Sequence, residues 1–244
     1  MRFLIVILFF NIFLIANAVK VAVAANVSYA MEDLIKEFNK SYPAIKILTT
    51  ISSSGKLTAQ IKSGAPYEIF LSANMDYPEV LFKKQFSKYK PKVYAKGSIA
   101  ILTTKNIDLK NGLKALLNSK IKKIAIANDK TAPYGVATKE ALVNLKLYSK
   151  LKPKFIYGQS IGQTLLYTIN AADIGIVAKS LLYSKKMSKY KEKKNWISID
   201  KKLYKPIEQG LILLKGASDD AKIFYEFLLS NKAKVILKNY GYIF

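Results

Sequence analysis

The sequence predicts an α/β fold of two lobes, each a mixed or parallel sheet flanked by helices. Three observations carry this reading. From Val19, short apolar runs alternate with segments whose apolar residues recur at helical spacing, the pattern of βαβ units around a parallel sheet. A second block after Ile121 repeats that order without repeating the sequence. A long extended stretch, Val93–Thr104 with Gly97 inside it, joins the blocks and reads as a crossing between lobes.

In order, Val19–Ala25 (VKVAVAA) reads as a buried strand, and Asn26 or Ser28 can cap a helix over Tyr29–Asn39, whose Met31, Leu34, Ile35 and Phe38 share one face. Pro43 ends that region. Ile45–Ile51 is the second strand. A helix from Gly55 to Ser63 closes at Gly64, and Glu68–Ala73 is the third strand. Val80–Phe86 reads as a short helix. In the second block the pattern predicts a short helix over Gly112–Asn118, a strand over Ile121–Ala127 and a loop over Asn128–Tyr134. A helix from Gly135 to Leu145, a strand at Phe155–Tyr157, a helix over Ile161–Asn170 and a strand at Asp173–Ala178 follow. Lys185–Lys194 is a basic surface loop, Pro206–Leu214 a strand, Asp219–Leu229 an acid-started helix and Ala233–Tyr240 a last helix. The expected organisation is residues 19–95 and 184–244 in one lobe and 96–183 in the other, hinged where the chain crosses.

Before Val19 stands a different kind of segment. Met1-Arg2, the apolar run Phe3–Ile15 and Ala16-Asn17-Ala18 match a basic start, an h-region and an Ala-x-Ala cleavage site. The run is 13 residues, whereas a membrane span needs about 20. The reading is a signal peptide, residues 1–18, cut after Ala18. Cysteine is absent, so there is no disulfide and no lipid anchor at the cleavage site, and free export into a periplasm is expected. Histidine is absent too, which excludes Ser-His-Asp and Cys-His catalysis and the usual zinc sets. A hydrolase built on a serine would need a lysine base. Net charge is +24, from 40 basic and 16 acidic residues. Arg2 is the sole arginine, and the lysines are spread along the chain. Without arginine to read bases and phosphates, no nucleic-acid partner is expected. A basic protein that binds anionic polymer or lipid stays open as an alternative.

The stretch Thr49–Ile61 (TTISSSGKLTAQI) suggests the chemistry. A strand runs into three serines and a glycine, and a helix follows at once. The first N–H groups of a helix lack internal partners, and the macrodipole adds positive charge there, so small hydroxyl residues at this point suit an anion. Serine caps alone would give the same pattern. Ala25–Ser28, Ser160–Ile161 and Pro133-Tyr134-Gly135 have the same character, two loops from each lobe.

VAVAANVSYAMEDLI, ISSSGKLTAQIKSGAPYEIFLSAN, APYGVATKEAL, ADIGIVAKS and NKAKVILKNYGY resemble the periplasmic molybdate-binding proteins of ABC transporters. The resemblance runs from about Val19 to the end. It implies a type II-like periplasmic binding protein fold with the ligand in the interlobe cleft. It also implies a non-enzymatic monomer without a cofactor that delivers molybdate, or tungstate, to a membrane permease with a cytoplasmic ATPase. The family's binding positions fall on Ala25 and Asn26, on Ser54 with Ser53 beside it, and on the backbone N–H groups of Tyr134 and Ile161. Members with serine at the Asn26 position use a tyrosine where this chain has Ala178, and the Tyr134 phenol is the expected replacement for that donor. None of these positions is acidic. A fully deprotonated dianion accepts hydrogen bonds and donates none, so molybdate, tungstate or sulfate is favoured over phosphate. Asp129 reads as a hinge or cap residue and Lys56 as a solvated lysine.

Overall fold

The computed structural model describes residues 18–244. Of the expected signal peptide, all but Ala18 lies outside the described residues. Strand β1 (Val19–Ala24), helix α1 (Ser28–Asn39), β2 (Ile47–Ser52), α2 (Ser54–Lys62) and β3 (Ile69–Ser72) form the first βαβαβ run. β1 is parallel to both β2 and β3, with Val23 opposite Ile51 and Leu71. After α3 (Asp76–Lys83) and β4 (Lys92–Gly97), the chain crosses at Ser98 into β5 (Ile99–Leu102). The second run is β6 (Ile124–Ala127), α4 (Pro133–Asn144), the single turn α5 (Tyr148–Leu151), β7 (Phe155–Gly158), α6 (Ile161–Asn170) and β8 (Ile174–Ala178). A short α7 (Lys179–Leu182) and β9 (Trp196–Ser198) follow, and then β10 (Ile207–Leu213), α8 (Asp219–Leu229) and α9 (Asn231–Asn239).

The two sheets share one plan. Their orders are β2-β1-β3-β10-β4 and β7-β6-β8-β5-β9, three parallel strands and then two that are antiparallel to their neighbours. The outer strands explain the two crossings, since β10 returns to the first sheet and β5 opens the second.

Both faces of β1 are covered, which is why VKVAVA reads as a near-continuous apolar run. Val19, Val21 and Val23 pack with Met31, Leu34 and Phe38 of α1 and with Phe224 and Leu237 from the C-terminal helices. Phe38 meets Phe224 edge-on, centroids 4.8 Å apart. Ala22 faces the other way, onto Leu57, Ile61, Phe70 and Leu81. The second lobe's core is Ile99, Ile101, Ile124, Ile126, Ile174 and Ile176 with Leu142 and Leu165. Ala24, Ala25 and Ala73 of the first lobe pack into that same cluster, so the lobes are closed on each other.

Several boundaries differ from expectation. The extended stretch is two strands in two sheets, broken at Ser98. Residues from 184 were expected back in the first lobe, but Trp196–Ser198 pairs with β5, so the second lobe runs on through Ser198. Three residues inside a lysine-rich run give no periodic signal, and Trp196 is buried against Tyr183, centroids 5.8 Å apart. The expected strand from Ile121 begins at Ile124, because Asp173 draws the Lys122 and Lys123 N–H groups onto its Oδ2, each at 2.8 Å. α4 starts at Pro133, where proline's missing N–H costs no helix bond. α3 starts at Asp76, ahead of the expected Val80.

Candidate functional site

Four loops meet in a ring. β1 and β2 end side by side, Ala24 opposite Ser52, so the turn at Ala25-Asn26 lies next to Ser53-Ser54. In the other lobe Ala127 pairs with Gly158 and the Asn128 N–H bonds Gly158 O, which sets the loop before α4 beside Ser160-Ile161. Two contacts across the lobes close the circle. Gly55 N–H donates to Thr131 O at 3.0 Å. A β-carbon on Gly162 would stand 3.3 Å from that of Ala25. The carboxyl ends of four parallel strands therefore converge, the place where open α/β sheets take ligands.

The ring presents donors. The N–H groups of Asn26, Ser54, Tyr134 and Ile161 find no acceptor among the described residues. Serine elsewhere shows what ordinary capping looks like here: Ser218 and Ser230 each accept an N–H from the first turn of α8 and α9. Ser53 stands at the same position before α2 and caps nothing. Its hydroxyl is buried and unpartnered. Ser54 Oγ accepts from Ala73 N at 2.9 Å, which leaves its own proton free. Ser160 is intermediate, since it caps α6 through Gln163 N but not through Ile161.

Five buried side-chain atoms lack a partner among the described residues: Asn26 Oδ1, Ser53 Oγ, Tyr94 OH, Thr131 Oγ1 and Tyr134 OH. Four of them belong to the ring loops, and unmet buried polar groups are uncommon in folded proteins. The buried polar residues are all neutral, with no Asp, Glu or Lys among them. Asp129 caps no helix; it pairs with Lys139 of α4 at 2.7 Å. Ser53 and Lys56 do stand at S-x-x-K spacing, yet Lys56 is exposed and bonds no serine, so no lysine base is in place.

Ala25, Asn26, Ser53, Ser54, Tyr134 and Ile161 are all buried, and their loops all lie in the ring. The Tyr134 phenol, expected to stand in for a donor at Ala178, packs against Gly97 at the crossing and is unpartnered among the described residues. Burial pushes that phenol well above its ordinary pKa, and Tyr242, Tyr94 and Tyr204 push the same way. Ala178 ends β8 opposite Ile99. Behind the ring the structure adds residues that sequence reasoning missed. Thr131 makes the closing contact. Gln209, Ser180 and Tyr242 all bond Asn26. A glutamine inside the apolar run Ile207–Leu214 was the one available signal, since such a run has no reason to hold a bare amide.

Two α/β lobes closed on a buried ring of neutral donors define a two-lobed solute-binding protein. A family described as bacterial extracellular solute-binding protein matches residues 19–243, and the chain belongs to it. It is similar to the molybdate-binding protein ModA of Azotobacter vinelandii, 33% identical over 93% of this chain and 90% of that one. ModA of Rhodobacter capsulatus is 31% identical over 93% and 89%. A solved structure of the Azotobacter vinelandii periplasmic molybdate-binding protein superposes with a TM-score of 0.86 at 30% identity, covering 93% of this chain and 99% of that one.

Proposed function

We propose that the chain captures molybdate, or tungstate, inside the ring and delivers it to the permease of an ABC transporter. The observation that carries the reading is the ring itself. Four buried loops that meet across the two lobes bring together N–H groups at Asn26, Ser54, Tyr134 and Ile161 and hydroxyls at Ser53 and Ser54 that find no acceptor among the described residues, and no carboxylate is buried with them. A fully deprotonated tetrahedral dianion is the complement of that set, because it supplies only acceptors. Phosphate at neutral pH keeps a proton and gains from an acidic acceptor, which the site lacks. The similarity to ModA proteins of two organisms points to the same ligand.

Each lobe brings two of the four loops, so opening the lobes takes the donor set apart and releases the anion. This is binding and release without catalysis or cofactor, by an exported monomer working in a periplasm. Isothermal titration of the chain from Val19 with molybdate, tungstate, sulfate and phosphate tests it. Tight binding of the two metal oxyanions, with phosphate silent, is expected. No heat with either metal oxyanion overturns the reading.

A further inference from the structure

We infer that Gln209 is a positioning residue that sets the geometry of both first-lobe anion loops at once. The inference rests on the function proposed above and extends it to a side chain behind the ring. Gln209 is fully buried in β10, a strand whose other residues are apolar or glycine apart from the half-buried Glu208. Its Nε2 donates to Ile207 O at 2.8 Å and to Ala73 O at 3.3 Å. Both acceptors are carbonyls, so this end of the amide must be the nitrogen, and Oε1 must be the end that faces Asn26. Asn26 Nδ2 donates to that Oε1 at 2.7 Å and to Tyr242 OH at 2.7 Å. The orientation of one amide thereby dictates that of the next. The Asn26 peptide is held as well, since its carbonyl accepts from Ser180 Oγ at 2.8 Å and Tyr242 OH at 3.0 Å.

The second arm runs through Ala73. Gln209 holds the Ala73 carbonyl, and the Ala73 N–H is the group that Ser54 Oγ accepts. The Ser54 hydroxyl accepts there and donates to nothing among the described residues, so its proton stays available to a ligand. One buried amide is thus one hydrogen bond from the Asn26 loop and two from the Ser54 loop. A glutamine kept only to fill space would not need three satisfied bonds, two of them to segments distant in the chain.

The titratable groups around Gln209 are the phenols of Tyr94, Tyr134 and Tyr242, all raised by burial. Glu208 and Lys96 are cross-strand neighbours on the opposite face and pair with each other at 3.4 Å. The three phenols, raised by burial, stay protonated between pH 6 and 9, and molybdate affinity of the unaltered chain is expected to stay flat across that range. Gln209→Glu puts a buried carboxyl in the network. Its affinity falls about tenfold or more from pH 6 to pH 9 as the carboxyl ionises against the bound dianion. Gln209→Met keeps the volume and removes the bonds; molybdate affinity drops about ten- to a hundredfold and stays flat with pH. Circular dichroism and melting of each variant check that it folds. Should either glutamine variant fail to fold, Tyr242→Phe keeps its ring in place and carries the test, with an expected loss of about three- to tenfold. Folded variants that bind molybdate within threefold of the unaltered chain, with no pH dependence, overturn the inference. An unaltered chain that does not bind molybdate overturns the proposed function instead, and the inference with it.

Discussion

Ser53 and Ser54 are neighbours with opposite duties, and alanine at each position separates them. Ser54 Oγ accepts the buried Ala73 N–H at 2.9 Å. Ser54→Ala strands that donor, which lowers the unfolding free energy of the ligand-free protein by about 1–3 kcal/mol. The same substitution removes a hydroxyl donor to a buried dianion, which costs about 1.5–3 kcal/mol of binding, roughly tenfold to 150-fold in Kd. Ser53 Oγ has no partner among the described residues, so its alanine variant loses no protein bond. Removing a buried, unmet hydroxyl leaves ligand-free stability unchanged or raises it by up to about 1 kcal/mol. Its affinity for molybdate falls by the same margin as for Ser54→Ala. Urea unfolding without ligand and calorimetric titration read the two quantities separately. With molybdate at a hundred times the unaltered Kd, binding adds about 2.7 kcal/mol to the unaltered protein and much less to either variant. If Ser53→Ala costs more than about 1 kcal/mol of ligand-free stability, the residue is a structural cap. If it also binds normally, the second loop does not touch the anion.

Three further outcomes follow from the same geometry. A methyl at Gly97 runs into the Tyr134 hydroxyl and stands 3.0 Å from Gln209 Nε2. Gly97→Ala therefore lowers the melting temperature, and adding Tyr134→Phe restores part of the loss; equal melting of single and double variants would remove the contact from the account. Asp173 is held at a pKa of about 2, first by its bond to Lys105, against desolvation and with help from the Lys123 and Lys122 N–H groups. A depressed carboxyl stabilises the fold fully above its unfolded value near 3.8 and loses that contribution as pH falls toward 2. Urea unfolding at pH 5 and pH 2.5 is expected to show a steeper loss for the unaltered chain than for Asp173→Asn. Glu32→Gln removes the exposed pair with Lys186, and a change in stability above roughly 0.5 kcal/mol would contradict its reading as a solvated surface contact.

The fold was legible where its signals are local and repeated. Apolar runs and helical periodicity located every strand of both parallel runs, and the equal order of the two blocks anticipated the equal sheets. Trp196–Ser198 was not legible, because a three-residue strand at an edge is defined by the β5 backbone it meets. The start of β6 was also hidden, since it depends on an aspartate some fifty residues away. The ring loops could be named because helix starts with small residues carry their chemistry in sequence order. What stands behind them could not. Gln209 reaches Asn26 from 183 positions away and Tyr242 from 216, and neither spacing has a local signature. The Tyr134 phenol illustrates the limit, because its packing against Gly97 joins residues far apart in the chain.

The contrast between surface and site determines where discrimination between anions can arise. The chain carries 40 basic residues, yet no lysine is buried among the described residues. Surface lysines draw every anion alike, since a field acting over a Debye length of about 8 Å senses charge and not shape. Fixed N–H groups at helix starts act differently. Each has a direction and a short reach, so a tetrahedron of the wrong size leaves some donors unmet inside a closed space, where an unmet donor is costly. A buried lysine would blunt that test by rewarding any negative charge, and it would keep its grip after the lobes part. Dipoles shared between two lobes lose their common focus when the lobes separate, and water then takes over the anion's hydrogen bonds. A site of neutral donors can therefore be both selective when shut and permissive when open, and the Gln209 network holds the first lobe's half of it in register.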